Sequence, residues 1–131
     1  LICLCGYLRK LSLRPQWQGR VINIHPSLLP RHGGHGMYGL NVHKAAIESK
    51  AVFSGCTVHF VDDEYDQGPI LLQRSCRIEP GDTPESLAAR VFHQECIALP
   101  QAIGMIARGR ASIVDGRVEI RAACEVGRGS L

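Results

Sequence analysis

One run constrains this chain more than any other: Val21-Ile22-Asn23-Ile24-His25-Pro26-Ser27-Leu28-Leu29-Pro30. The β-branched Val21, Ile22 and Ile24 favour a buried strand, whose period of two sends Asn23 and His25 to one face. Pro26 cannot donate to a sheet ladder and Pro30 closes the segment, so the strand is expected to end at His25. In an open α/β sheet, ligands bind just outside the carboxyl ends of strands. An amide and an imidazole side by side at such an end form a candidate catalytic pair. The Asn amide donates to a developing oxyanion without titrating, and His holds or delivers a proton near neutral pH. Taken alone, the pair also reads as a turn-capping Asn and a satisfied core His.

A second run offers a third group. Val58-His59-Phe60-Val61-Asp62-Asp63-Glu64-Tyr65-Asp66-Gln67-Gly68-Pro69-Ile70 takes a β-branched strand into four carboxylates within five positions, then a Gly-Pro turn. If Asp66 lies beside His25, its charge favours imidazolium, raises the histidine pKa and makes His25 a better proton donor. A solvated acidic turn is the competing reading.

The rest of the chain is punctuated as an α/β protein. The apolar opening, Leu1-Ile2-Cys3-Leu4-Cys5, reads as a strand needing neighbours on both sides. Residues 31–40 form a glycine-rich loop, and Asn41 is placed to cap a helix through Ser49. Strands are expected at about 55–61 and 70–78. Thr83-Pro84-Glu85 is a strong helix start, and Pro100 could kink or interrupt that helix before residues 102–107. Asp115-Gly116 between apolar runs signals a terminal hairpin. The expected architecture is an open, mostly parallel sheet with flanking helices and a C-terminal β-hairpin. Gly34-His35-Gly36-Met37-Tyr38-Gly39 matches G-x-G-x-x-G, but it follows Pro30 rather than a strand and the helix begins beyond its last glycine. It therefore reads as a mobile substrate-side loop and not as a dinucleotide fingerprint.

Glu95 falls at i+4 from Val91 and i+7 from Ala88, on an apolar stripe of the helix begun at Thr83. Acids rarely face a core without purpose.

Composition narrows the function classes. With 15 basic and 12 acidic residues, and a net charge of +3 without long blocks of one sign, a nucleic-acid partner is not indicated. No apolar stretch approaches about 18–20 residues, and the opening run lacks a signal peptide's basic flank, so no membrane association is expected. The six cysteines, Cys3, Cys5, Cys56, Cys76, Cys96 and Cys124, lack the spacing of a disulfide framework and read as reduced, buried thiols of a cytoplasmic protein. Cys56 and His59, three apart on a strand, point to opposite faces. His32 and His35 lie in a loop without partnering ligand motifs, so no metal is expected.

N-I-H-P-S-L-L-P followed by G-C-T-V-H-F-V-D-D-E-Y-D-Q-G-P-I-L-L-Q strongly resembles the phosphoribosylglycinamide formyltransferases, folate-dependent enzymes of purine synthesis. The resemblance runs from Leu4-Cys5-Gly6-Tyr7-Leu8-Arg9-Lys10-Leu11 to about Gly109. It implies a Rossmann-like formyltransferase fold and three roles: Asn23 polarises the formyl oxygen, His25 is the general acid, and Asp66 holds His25 protonated and helps to shuttle protons. It implies 10-formyltetrahydrofolate as co-substrate, glycinamide ribonucleotide as acceptor, direct transfer through a tetrahedral adduct, and no nucleophilic Ser or Cys. The turn Leu8, Arg9, Lys10, Leu11 and the loop Asp62, Asp63, Glu64, Tyr65, Asp66 would be the two walls of the folate pocket, with Asn23 also touching folate. Core packing is the competing reading for Leu8 and Leu11, and a surface charge for Arg9. Glu95 would contact the nucleotide, through its ribose hydroxyls. Many relatives carry His after this Glu, where this chain has Cys96.

Relatives are longer at the amino end, where a glycine-rich loop binds the substrate phosphate. The 131 residues are therefore expected to be a single partial catalytic domain, with the family's N-terminal strands and that loop missing. The resemblance leaves rivals. Formyltetrahydrofolate deformylase shares the fold and the trio but passes the formyl group to water, so acceptor use discriminates. Transferases acting on methionyl-tRNA or amino sugars share Asn-x-His-Pro but differ after Pro30. An inactive folate-binding fragment is the reading from a different class.

Overall fold

The computed structural model describes residues 1–122. In chain order it contains β1 (Ile2–Cys5), a 3-10 turn (Pro15–Trp17), β2 (Val21–His25), α1 (Leu40–Glu48), β3 (Phe53–Phe60), β4 (Ile70–Arg77), α2 (Pro84–Ala107), β5 (Ala111–Val114) and β6 (Arg117–Ile120). Strands β1 to β4 form one sheet in that spatial order, and β5 and β6 form the expected hairpin. The α/β sheet is mixed: β1 and β2 run parallel, whereas β2–β3 and β3–β4 are antiparallel. Parallel pairing is thus confined to one pair among the described strands.

Alternation along the strands builds the core. Ile22 and Ile24 on β2 and Cys56, Val58 and Phe60 on β3 share one face, covered by Leu87, Val91, Ala98 and Ala102 of α2, with Ala46 of α1 joining the cluster. Burying each of the larger side chains contributes about 1.5–3 kcal/mol. The intervening residues, Asn23, His25, Thr57 and His59, necessarily face the other way. Antiparallel register sets Asn23 opposite His59 and His25 opposite Thr57.

Helix α2 starts as its sequence demands. Thr83 caps it by accepting from the Ser86 N–H at 3.2 Å, and Ser86 returns the bond to the Thr83 N–H at 2.9 Å. The helix then runs unbroken for 24 residues with Pro100 inside it. A proline forfeits one bond to the carbonyl four residues back, but Ala98 and Ala102, both fully buried, hold the helix against the sheet on either side of it.

β1 is an edge strand in the described sheet, with Ile2, Cys3 and Cys5 exposed, which agrees with a partial domain whose apolar opening strand has a neighbour on one side only. Two expectations are corrected. Of the thiols expected to be buried, Cys56 is, Cys76 is partly, and Cys3, Cys5 and Cys96 are exposed; Cys124 lies outside the described residues. Asn41 does not cap α1. Gly39 holds that position at φ 58°, and the Asn41 side chain turns back to donate to the Gly36 carbonyl at 3.2 Å. A left-handed backbone at the helix entry favours glycine.

Candidate active site

The carboxyl end of β2 is locked in place before it does any chemistry. Leu28 and Leu29, just past the strand, lie on β3 and β4 through the buried Thr57, whose hydroxyl donates to the Ser27 carbonyl at 2.7 Å and accepts the Leu29 N–H at 3.0 Å. Gln73 on β4 donates to the same hydroxyl at 2.9 Å and to the Leu29 carbonyl at 3.0 Å. Gly55 permits this closeness, since a Cβ there would collide with the Arg74 carbonyl and the Leu28 side chain. His25, only 4% exposed, is held from the loop side as well: its Nε2–H donates to the His32 carbonyl at 2.8 Å.

Asp66 reaches this end from the loop after β3. Its backbone is left-handed, at φ 54°, a conformation Asp tolerates better than most residues. Its Oδ2 lies 3.4 Å from His25 Nδ1 and its Oδ1 lies 3.5 Å from His59 Nε2. The Gly34 N–H donates to Oδ2 at 2.9 Å, and Gly33 has no room for a Cβ between Leu29 and Asp66. The glycine-rich loop is therefore packed directly on the acidic one. Edge contact of the His35 and Tyr65 rings, with centroids 6.4 Å apart, adds a second tie.

The electrostatics follow from this crowding. Burial pushes the Asp66 carboxyl up, but the contact with His59, the Gly34 N–H and the charges of His25 and His59 together outweigh it, so Asp66 stays ionised below the ordinary carboxylate range. For His25 the balance goes the other way. Burial is the largest influence and lowers its pKa, and the upward pull of Asp66 does not restore it. The charge effect of Asp66 has the expected sign, but the histidine ends up lower rather than higher, because desolvation is the larger effect. His43 on α1 is likewise lowered by burial and by the charge of His25, and its Nδ1 has no hydrogen-bond partner among the described residues.

His59 is the residue that sequence reasoning missed as part of the site. Its Nδ1 lies 3.0 Å from the Phe60 carbonyl, which can only accept, so Nδ1 carries a proton. Its Nε2 lies 3.2 Å from the Asn23 Nδ2 and 3.5 Å from Asp66 Oδ1. With Nε2 unprotonated the ring accepts from the Asn23 amide and leaves the second amide N–H free to donate; with Nε2 protonated it donates to Asp66 instead. The usable signal was the alternation Thr57-Val58-His59-Phe60, which puts His59 on the polar face with Asn23 once the strands are paired.

A cavity of about 510 Å³ opens over these groups, and all the residues expected to form a site line it: Leu8, Arg9, Lys10, Leu11, Asn23, His25, Asp62, Asp63, Glu64, Tyr65, Asp66 and Glu95. Leu8 is 62% exposed and does not pack in the core. Asp62 is partly spent on its own turn, accepting the Glu64 N–H at 2.9 Å. Glu95 enters from α2 together with Phe92, which sequence reasoning did not single out. Burial alone raises the Glu95 carboxyl pKa. Such a volume suits a drug-sized organic ligand. The chemistry on offer is an amide donor for developing negative charge and a histidine–aspartate pair for proton transfer. Among the described residues there is no group of side chains suited to a metal ion, and no helix long and apolar enough to cross a membrane.

Comparison with known proteins converges on the same arrangement. The family model described as formyl transferase matches residues 1–103. A chloroplastic phosphoribosylglycinamide formyltransferase of Arabidopsis thaliana is 47% identical over 111 residues, covering 83% of this chain and 38% of the plant protein. The crystal structure of glycinamide ribonucleotide transformylase 1 from Symbiobacterium toebii superposes with a TM-score of 0.81 at 41% identity, over 93% of this chain and 56% of that one. A formyltetrahydrofolate deformylase from Pseudomonas syringae superposes with a TM-score of 0.72 at 25% identity, over 82% of this chain and 34% of the other. The chain thus spans between about a third and somewhat over half of these relatives.

Proposed function

The chain belongs to the formyl transferase family, and from that premise we propose that it transfers the formyl group of 10-formyltetrahydrofolate to the amine of glycinamide ribonucleotide. The observation that carries the reading is the meeting of Asn23, His25, His59 and Asp66 at the end of β2, under a cavity of folate size. The folate is a co-substrate, bound between the turn Leu8 to Leu11 and the loop Asp62 to Asp66.

The amine nitrogen attacks the formyl carbon, and the carbonyl electron pair moves onto oxygen, which accepts a hydrogen bond from the free N–H of Asn23. The adduct collapses by breaking the bond to the folate nitrogen, whose electron pair takes a proton from His25. His25 Nε2–H is committed to the His32 carbonyl, so the mobile proton is the one at Nδ1, shared with Asp66. The proton shed by the attacking amine passes to Asp66 and from there to His25 Nδ1, which delivers it to the folate nitrogen and ends as it began. Burial makes the isolated imidazole a weak base, and a weakly held proton is the more readily given up to the leaving group. No metal is required at any step. Free thiols throughout the described residues suit a reducing compartment such as the cytoplasm.

Hydrolysis is the second reading, favoured by the likeness to a deformylase. Two points support transfer instead. The two transferases compared above are 41% and 47% identical to this chain, against 25% for that deformylase. Glu95 also places in the same cavity a half-buried carboxylate that a nucleotide acceptor can use and a water molecule does not need. The test is folate turnover by this chain with and without glycinamide ribonucleotide. Acceptor-dependent loss of the formyl group supports transfer. Equal release of formate without acceptor would make the protein a deformylase, and folate binding without either reaction would remove catalysis altogether.

A further inference from the structure

The segment between β1 and the 3-10 turn is loosely tied for a cavity wall. Tyr7, Leu8, Arg9, Lys10 and Ser12 are exposed. Among the described residues no backbone–backbone hydrogen bond holds residues 7–13; the first one beyond them runs from the Trp17 N–H to the Arg14 carbonyl at 2.8 Å. The segment nevertheless carries charge that the cavity depends on. Five carboxylates line the cavity, those of Asp62, Asp63, Glu64, Asp66 and Glu95, against two permanent cations, Arg9 and Lys10. An anionic ligand therefore meets its favourable charge at this one place.

Ser12 follows the two cations closely, in the order Arg9-Lys10-Leu11-Ser12, and does not itself line the cavity. A hydroxyl with cations two and three residues before it, in a segment free to extend, is the charge pattern that a protein kinase with an acidic substrate groove selects. Ser112 also follows two arginines, Arg108 and Arg110. It is half-buried, however, and paired with Glu119 in the β5–β6 ladder. A kinase would have to unravel that hairpin, whereas Ser12 can be drawn out without breaking a described backbone bond.

We propose that Ser12 is a phosphorylation site for a basophilic protein kinase, and that the phosphoserine closes the cavity to anionic ligands by taking Arg9 and Lys10 as its own partners. In the step, Ser12 Oγ attacks the terminal phosphorus of a nucleoside triphosphate. The new O–P bond forms as the bond to the nucleoside diphosphate breaks, and the hydroxyl proton passes to the kinase's catalytic aspartate. The product carries about −1.5 to −2 charges at pH 7 and three acceptor oxygens. So close in the chain to Arg9 and Lys10, it makes charge-assisted hydrogen bonds with both. The carboxylates of the lining are then left without a counter-charge, and folate, whose glutamate end is anionic, is repelled. The closure rests on the folate reading above; the modification itself does not.

The experiment treats the chain, S12A and the double variant R9A/K10A with the catalytic subunit of cyclic-AMP-dependent protein kinase and Mg2+–ATP. Peptide mass spectrometry locates the product, and the Kd for 10-formyltetrahydrofolate is measured before and after. Ser12 should take up one phosphoryl group and S12A none, and R9A/K10A should react at least about tenfold more slowly, as expected when charge complementarity is removed. Phosphorylation should weaken folate binding about tenfold at low salt, with most of the difference gone near 1 M salt, where screening acts within about 3 Å. Unmodified S12A should bind folate as the natural chain does. No uptake, or uptake at Ser112 or elsewhere in place of Ser12, overturns the site. Uptake at Ser12 with unchanged folate affinity overturns the closure. If the natural chain binds no folate, the folate reading fails and takes the closure with it, while the mass spectra still decide the site.

Discussion

Asn23 and His59 stand opposite each other across the β2–β3 pair, with the Asn23 amide nitrogen 3.2 Å from His59 Nε2. A side-chain amide can present either its nitrogen or its oxygen to a site, and the two differ by a half turn about one bond. With its Nδ1 proton donated to the Phe60 carbonyl, His59 selects the nitrogen whenever its Nε2 is unprotonated and can accept. The inward N–H needed for an oxyanion thus depends on a neighbour that touches no reacting atom.

His59→Leu should therefore lower turnover by about 100-fold, the scale of losing one oriented oxyanion donor. His59→Gln, whose side-chain oxygen can still accept the Asn23 amide, should keep part of that loss from appearing. Folate affinity should change little in either. Steady-state formyl transfer with both variants is the measurement, and equal activity of Leu and Gln would sink the orienting role.

Asp66→Asn tests the proton path. The substitution preserves size and the bond from the Gly34 N–H but removes the charge shared with His25 and His59. Turnover should fall by about 100-fold or more, as when a positioned acid–base partner is lost, with folate Kd nearly unchanged. Unaltered turnover across neutral pH would exclude the role.

These relationships were unequally legible in the sequence. Period-two alternation was enough to put Asn23 and His25 on one face, and local chemistry was enough to find the Thr83 cap and the Asp115-Gly116 hairpin, because each depends on residues close in the chain. His59 is 36 residues from Asn23, and its partnership exists only through strand register, which alternation alone does not specify. The sign of the His25 shift failed for a related reason. A nearby carboxylate can be guessed from composition, but burial depth is a property of the packed loops, and here it outweighs the charge. Phe92 was hidden because an aromatic residue on a helix ordinarily reads as core; only its exposure beside Glu95 singles it out.

Thr57→Val should separate architecture from chemistry. The replacement has the same shape but leaves the Ser27 carbonyl, the Leu29 N–H and the Gln73 amide short of a partner. With Thr57 fully buried, the loss should be about 2–3 kcal/mol. Urea unfolding checks this as a lowered midpoint at unchanged slope. Because the loop from Pro26 to Pro30 is released next to His25, activity should fall as well, although Thr57 itself contacts no substrate in the proposed reaction.

Stability should show two losses as pH falls. Burial holds His25 and His43 below the ordinary 6.5 in the folded protein, so between their folded values and 6.5 the unfolded chain binds more protons. Stability therefore rises with pH in that window and is lost as pH falls through it. Asp66 is held below the ordinary 3.8, so its contribution is present above 3.8 and disappears only at lower pH. Urea midpoints from pH 8 to 3 should begin to fall just below 6.5 and fall further below about 4. His43→Phe should diminish the first loss, because it replaces a buried Nδ1 without a described partner by a ring that neither titrates nor needs one. It should leave the second loss, which belongs to low-held carboxylates such as Asp66 and Asp82, where it was; a first loss of unchanged size would mean that His43 does not carry it.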